Sequence, residues 1–210
     1  MLRKIIFGVV AIFALWVVLD LYWPTHADLR QFDGGDVGRL ETATWRSYYD
    51  HRSIDLFTEL VELVHREYRM PFWRSVAAGY YAAHAAIVFQ RGHERPDYEL
   101  ALPDIVSYYG LVRRGSTTDF DPEAVAKVEL EWWIVHRQRD RHAPGDLEMA
   151  LANLQSAIFH EPPDRFITHA RARAEAMVLR DNNAEHMTQA DWDHIEQLLV
   201  TSWTSLNRAL

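Results

Sequence analysis

The sequence contains no cysteine, which excludes disulfide bonds, thiolate metal sites and a cysteine nucleophile. Lysine is scarce as well, because only Lys4 and Lys127 occur and every other basic side chain is an arginine. The formal net charge is −8. Binding to nucleic acid needs clustered basic residues that neutralise phosphates, and this acidic chain has no such cluster. We therefore expect no nucleic-acid partner.

Several catalytic and nucleotide-binding motifs are missing too. The chain has no Gly-x-Gly-x-x-Gly, no Walker loop, no Gly-x-Ser-x-Gly elbow and no His-Glu-x-x-His. It also lacks runs of alternating β-branched residues, so the strand contexts that several of these motifs require are not expected. These absences argue against nucleotide binding and serine-hydrolase activity. They favour a non-enzymatic protein.

The longest hydrophobic run extends from Ile5 to Leu19 without a polar residue. About 20 apolar residues in a helix cross the hydrocarbon core of a bilayer. The residues just after this run are also mostly apolar and bring it to that length. We therefore predict a single transmembrane anchor at residues 1–23, with residues 5–23 in contact with membrane lipid.

The charges that flank this run predict its orientation. Arg3 and Lys4 precede the run, whereas Asp20 and Asp28 follow it. By the positive-inside rule, the N-terminus stays in the cytoplasm. We expect a single-pass protein of the inner (cytoplasmic) membrane whose C-terminal domain is periplasmic or otherwise extracytoplasmic.

A cleaved signal peptide is the alternative interpretation. Thr25 and Ala27 are small residues at the two positions that a signal peptidase recognises, so cleavage would follow Ala27. The apolar run is longer than the usual 7–15 residues of a signal-peptide core, which favours the anchor. Both interpretations place the main domain outside the cytoplasm.

Residues 24–39 are predicted as a linker, because proline and glycine interrupt them repeatedly. Residues 40–210 are predicted as a soluble, all-helical domain. Pro71 and Pro122 stand where first-turn prolines belong, and Thr188 with Asp191 resembles a capping box. Hydrophobic residues also recur at helical spacing in the second soluble helix. They are Ile54, Phe57, Val61, Val64 and Tyr68.

The fold class is therefore all-α, with one transmembrane helix followed by a compact bundle of about seven or eight antiparallel helices. A helical-repeat array is the alternative, because three tyrosine pairs recur about 30 residues apart. They are Tyr48-Tyr49, Tyr80-Tyr81 and Tyr108-Tyr109.

Carboxylates and histidines recur on several of the predicted helices, which raises the hypothesis of a ferritin-like, di-iron type oxidoreductase. Glu62 and His65 have the three-residue spacing by which such bundles offer two ligands to one metal. The second pair that such a site needs is missing. His84 lies within an apolar stripe and is expected to be buried. The candidate ligands for iron or manganese are Glu62, His65, His84, Glu129 and Glu131.

Tryptophan and tyrosine are abundant, with eight Trp and nine Tyr. These residue types are enriched in protein interfaces. Trp45 and Trp133 are the candidate interaction residues, since charged residues flank both on their helices. The favoured function is an accessory or scaffold subunit of an integral membrane protein complex, such as a respiratory or photosynthetic one. It requires no cofactor.

Overall fold

The computed structural model describes residues 2–23 and 25–210, and in these residues it is all-α without a strand. An apolar N-terminal helix precedes a compact bundle, which confirms the predicted fold class. Two short 3-10 turns lie at Arg139–Arg141 and Pro163–Phe166. The helices are α1 Leu2–Tyr22, α2 Gly34–Tyr49, α3 Ser53–Tyr68, α4 Phe72–Arg91, α5 Arg95–Glu99, α6 Leu102–Gly115, α7 Pro122–Arg137, α8 Asp146–Phe159, α9 Ile167–Asn182 and α10 Gln189–Ala209.

Eight of the helices form a closed ring. From α2 to α10, each long helix packs against the next long helix in the chain, and the short α5 lies against α4 and α7. The last helix, α10, returns to pack extensively against α2. That contact closes the ring and distinguishes it from an open repeat array, in which the two terminal helices stay apart.

Two glycines permit this closure. A Cβ atom on Gly34 would lie 2.6 Å from the backbone nitrogen of Thr204, and one on Gly38 would lie 2.5 Å from that of Val200. Only glycine therefore lets α2 and α10 approach this closely. Both glycines fall in the segment that the sequence predicts as a linker. In the structure the folded domain begins before residue 40, its predicted start, because α2 begins at Gly34 and Val37 is fully buried.

The helix boundaries follow local signals. Pro122 occupies the first turn of α7, and the Asp121 side chain accepts a hydrogen bond from the Glu123 amide at 3.0 Å. Thr188 and Asp191 form the predicted capping box at the start of α10. These side chains satisfy amide groups that the first turn of a helix leaves unpaired.

The apolar face of α3 agrees with the predicted one at Val64, which is buried, but it is shifted toward the leucines of the helix. Its buried residues are Leu56, Leu63, Val64 and Glu67, whereas Ile54 is 79% exposed. The residues Leu56, Leu60, Leu63 and Glu67 face the inside of the ring. Spacing alone could not choose between this stripe and the neighbouring one, because both recur every three or four residues.

The end of α1 is fixed to the start of α4 by reciprocal capping. The Asp20 carboxylate accepts hydrogen bonds from the backbone amides of Trp73 (2.5 Å) and Arg74 (3.4 Å). In return, the buried Arg74 guanidinium donates to the Leu21 carbonyl at 3.2 Å and to the Thr25 hydroxyl at 2.9 Å. The two helices thereby satisfy one another's unpaired backbone groups. The apolar helix is docked on the ring.

Candidate ligand cavity

The ring encloses a cavity of about 570 Å³, to which all eight ring helices contribute side chains. Cavities of this size are typical of sites for small organic molecules. On α4, Ala82, Ala85 and Ala86 face the cavity, and their short side chains leave the space open. About a third of the lining residues are aromatic. The aromatic lining includes Trp45, Tyr48, Tyr49, Tyr68, Phe89, Tyr108, Tyr109, Trp132, Trp133 and Trp203.

A buried ion pair lies in one wall of the cavity. The Arg173 Nε donates to the Glu41 carboxylate at 3.0 Å, and the Trp203 indole donates to the other Glu41 oxygen at 2.5 Å. The Arg173 guanidinium also lies over the Trp132 ring, 4.9 Å from its centroid. Burial lowers the pKa of Arg173, but the Glu41 and Glu129 carboxylates outweigh burial and raise it. The guanidinium is therefore charged.

A second carboxylate, Glu129 on α7, is held by two neutral donors. It accepts hydrogen bonds from the Tyr109 hydroxyl at 2.9 Å and from the Trp133 indole at 2.8 Å. All three side chains line the cavity. Both carboxylate oxygens have a protein partner, so Glu129 is fixed in place in the wall.

Glu67 on α3 supplies a titratable group to the interior. Burial raises the pKa of its carboxyl to about 8, with the Glu41 and Glu129 carboxylates adding to the shift while Tyr68 and Arg173 oppose it. At pH 7 the carboxyl is therefore mainly protonated. A neutral carboxyl can donate a hydrogen bond, or a proton, to a molecule in the cavity.

Two further donors in the lining have no partner. The indole Nε1 of Trp132 and the Nε of Arg180 are buried, and neither makes a hydrogen bond within the described protein. The Trp132 residue is 8% exposed. A buried donor without an acceptor costs about 1–3 kcal/mol.

The polar rim of the cavity lies at the end of the ring away from α1. The exposed residues His51 and Arg137 lie there, together with Gln90, whose Oε1 accepts a hydrogen bond from the His51 ring at 3.2 Å. Gln90 lies near the end of α4, whereas Trp73, at the start of the same helix, contacts α1. At a rise of 1.5 Å per residue, about 25 Å of helix separates them. The rim and the apolar helix are thus at opposite ends.

The metal-ligand candidates on α3 lie outside the cavity. The exposed Glu62 carboxylate is 3.7 Å from the Arg66 guanidinium in an ion pair along the helix surface. The His65 Nδ1 is 2.5 Å from the Met70 carbonyl oxygen, an arrangement that stabilises the end of α3. Neither side chain points toward the other candidates.

The remaining candidates are also separated. His84 was expected to be buried, but its side chain is 50% exposed and its Nδ1 contacts the Asp104 carboxylate at 2.7 Å. Helical spacing placed it on a stripe that in fact faces outward. Glu131 pairs with Arg95 at 2.9 Å on the outer surface. Of the five candidates, Glu129 alone lines the cavity, and the described residues contain no group of three or more carboxylates and histidines arranged to hold a metal ion.

Trp45 and Trp133, the candidate interaction residues, both face the cavity. Glu41, Glu67 and Arg173 were not recognised from the sequence as parts of one site. The sequence held one indication of this site: Glu67 continues a stripe of leucines on α3, where a solvated carboxylate is not expected.

These features define a class of protein: an apolar N-terminal helix docked on a closed helical ring that contains an amphiphilic cavity. Comparison of the chain with protein-family models, with curated proteins and with solved structures found no match.

Proposed function

We propose that this is a membrane-anchored binding protein whose helical ring takes up a small organic molecule. The observation that carries the proposal is the cavity of about 570 Å³ with the Glu67 carboxyl in its lining. An internal space of this size lowers the stability of a helical domain, because its lining atoms lose packing contacts. A bound molecule restores those contacts.

The lining indicates the chemistry of the ligand. Aromatic walls favour a flat, mainly apolar molecule that can stack against indole and phenol rings. The protonated Glu67 carboxyl favours a hydrogen-bond acceptor, such as a carbonyl oxygen, on that molecule. The charged groups Glu41 and Arg173 already satisfy each other, and both oxygens of the Glu129 carboxylate already accept hydrogen bonds from the Tyr109 and Trp133 donors. We therefore expect a neutral ligand.

The apolar helix α1 supports a location in the membrane, because its 21 residues are long and apolar enough to cross a bilayer. With Arg3 and Lys4 at its start, we expect a cytoplasmic N-terminus and an extracytoplasmic ring. The polar rim, at the other end of the ring, would then open to the aqueous phase. Labelling of single cysteines in intact cells tests this orientation, since the natural chain has no cysteine.

The role of an accessory subunit in a membrane complex stays a prediction. Trp45 and Trp133 do not support it, because both side chains line the cavity. Purification in a mild detergent tests it directly. An accessory subunit would elute with an integral membrane partner, and a protein that elutes alone would contradict that role.

Titration with the neutral dye Prodan tests the binding function. Prodan is flat, carries one carbonyl acceptor, and its emission shifts to the blue when it enters an apolar site. The full chain in nanodiscs should show saturable binding above that of empty nanodiscs. Ala82→Trp would fill the cavity and is expected to weaken binding about tenfold, which corresponds to about 1.4 kcal/mol.

The matched control is His84→Trp on the same helix, because His84 faces outward. This variant adds the same side chain without filling the cavity and should bind Prodan like the natural protein. Equal binding by both tryptophan variants, or no saturable binding by the natural protein, would show that the cavity is not the site.

A further inference from the structure

Aromatic side chains at the start of α4 lie beside the apolar helix. The Trp73 ring packs edge-to-face against Phe13 at 5.7 Å and against Trp16 at 5.6 Å between centroids. Phe72, whose ring is 5.0 Å from that of Trp73, is 54% exposed. The contact with α1 therefore continues directly into an exposed apolar residue of the ring.

The position of this contact along α1 is informative. Phe13 and Trp16 belong to the uninterrupted apolar run, and Phe13 precedes the end of the helix at Tyr22 by about 13 Å of helix axis. A hydrocarbon core is about 30 Å thick, so a spanning α1 holds these residues within the bilayer. A side chain that packs on them cannot lie in bulk water. The capping between Asp20 and Arg74 fixes α4 at this height.

The backbone at the start of α4 is suited to such a position. The first turn of a helix has unpaired amides, which are costly to place near lipid. Here Pro71 has no amide hydrogen, and the amides of Trp73 and Arg74, though not that of Phe72, donate to the Asp20 carboxylate. The Arg74 charge is buried against carbonyl oxygens at the end of α1. The residues left to face lipid are aromatic.

We propose that the N-terminal end of α4 enters the membrane interface beside α1, with Phe72 and Trp73 as the inserted residues. Tryptophan favours the interface between hydrocarbon and headgroups, and Phe72 adds an exposed apolar ring beside it. The protein then has two membrane contacts, the spanning helix and the start of α4, and the ring stands at a fixed angle with its polar rim pointing away. This inference rests on the proposal that α1 spans the membrane.

Three single-cysteine variants of the full chain test the inference, since the natural background is free of cysteine. Phe72→Cys reports on the inserted site, Phe7→Cys on the anchor, and Leu100→Cys on an exposed apolar position beyond α5, where Leu100 is 67% exposed. Each variant is labelled with the dye NBD and placed in phosphatidylcholine nanodiscs. Quenching by nitroxide-labelled lipid is compared with quenching by aqueous iodide.

The label at residue 72 should resemble that at residue 7, with blue-shifted emission and lipid quenching about twofold or more above that at residue 100. Strong lipid quenching at residue 7 together with iodide quenching at residue 72 would overturn the inference and leave the anchor intact. Iodide quenching at residue 7 would instead overturn the anchor, and the inference with it. Circular dichroism confirms that each labelled variant retains its helices.

Discussion

The Glu41 carboxylate on α2 and the Arg173 guanidinium on α9 form an ion pair inside the ring, although 132 residues separate them in the chain. The rings of Trp132 and Trp203 enclose the guanidinium, with centroids 4.9 Å and 5.8 Å from it. The pair therefore couples the helices on the two sides of α10. Its integrity should matter for the stability of the closed ring.

Arg173→Met should lower the free energy of unfolding by about 3–5 kcal/mol, because it leaves the buried Glu41 charge without its partner. Chemical denaturation in detergent, followed by circular dichroism, measures the change. The double variant Glu41→Leu with Arg173→Met should recover much of the loss, since it removes both buried charges.

Glu131→Gln is the control for this prediction. It breaks the outer ion pair with Arg95, in which both side chains are about half exposed, and should change the free energy of unfolding by at most about 1 kcal/mol. A loss for Arg173→Met no larger than that for Glu131→Gln would contradict a structural role for the inner pair.

Glu67 should make the stability of the protein fall as the pH rises from 6.5 to 8. Burial raises the pKa of its carboxyl from 4.5 to about 8, so the folded state holds a proton that the unfolded state has released. By linkage, unfolding becomes easier with rising pH in this window, by about 1–2 kcal/mol. Chemical denaturation of the natural protein and of Glu67→Gln at several pH values measures the difference.

The Glu67→Gln variant should not show this fall, because its amide does not titrate. His169 adds only a small change of opposite sign: burial lowers the pKa of its imidazole from 6.5 to about 3, so stability rises slightly, by about 0.4 kcal/mol, as the unfolded imidazole loses its proton above pH 6.5. If the stability of the natural protein and that of Glu67→Gln change with pH in parallel, the pKa of the Glu67 carboxyl is not raised.

Gly38→Ala should open the contact between α2 and α10. The new Cβ would lie 2.5 Å from the backbone nitrogen of Val200, and a backbone neighbour cannot move aside as a flexible side chain can. We expect a loss of about 2–4 kcal/mol of unfolding free energy, comparable with other overpacked or disrupted core sites. Thermal unfolding followed by circular dichroism measures it.

Gly110→Ala is the matched control, since Gly110 lies within α6 and its added Cβ would meet no atom within 4 Å. Alanine favours the helix over glycine by about 0.5–1 kcal/mol, so this variant should be slightly more stable than the natural protein. If both alanine variants are stabilised, the glycine contact is not required for closure.

Trp132→Phe should weaken the binding of Prodan about fivefold, because the smaller phenyl ring removes aromatic contact area from the cavity wall. Such a loss corresponds to about 1 kcal/mol. Prodan titration in nanodiscs provides the measurement. The control is Trp192→Phe, a buried tryptophan in a separate core cluster. If Trp132→Phe binds Prodan as tightly as the control does, the Trp132 side chain does not contribute to the binding site.

Local sequence signals determined the helices. Pro122 and the Thr188–Asp191 capping box mark helix starts that the structure confirms, and the apolar run predicts the helix α1. The interactions behind these features join residues within a few positions of one another, so a short segment of sequence is enough to predict them. For the same reason, the all-α class could be predicted without tertiary information.

Only the tertiary structure decided which side chains meet. Glu41, Glu67, Glu129 and Arg173 come from four helices, and nothing in the spacing within any one helix places them around one cavity. Their convergence depends on the closure of the ring by α10. Spacing within a helix sets which side chains share a face, whereas the packing of other helices decides whether that face is buried, and so His84 lies outside while Glu67 faces in.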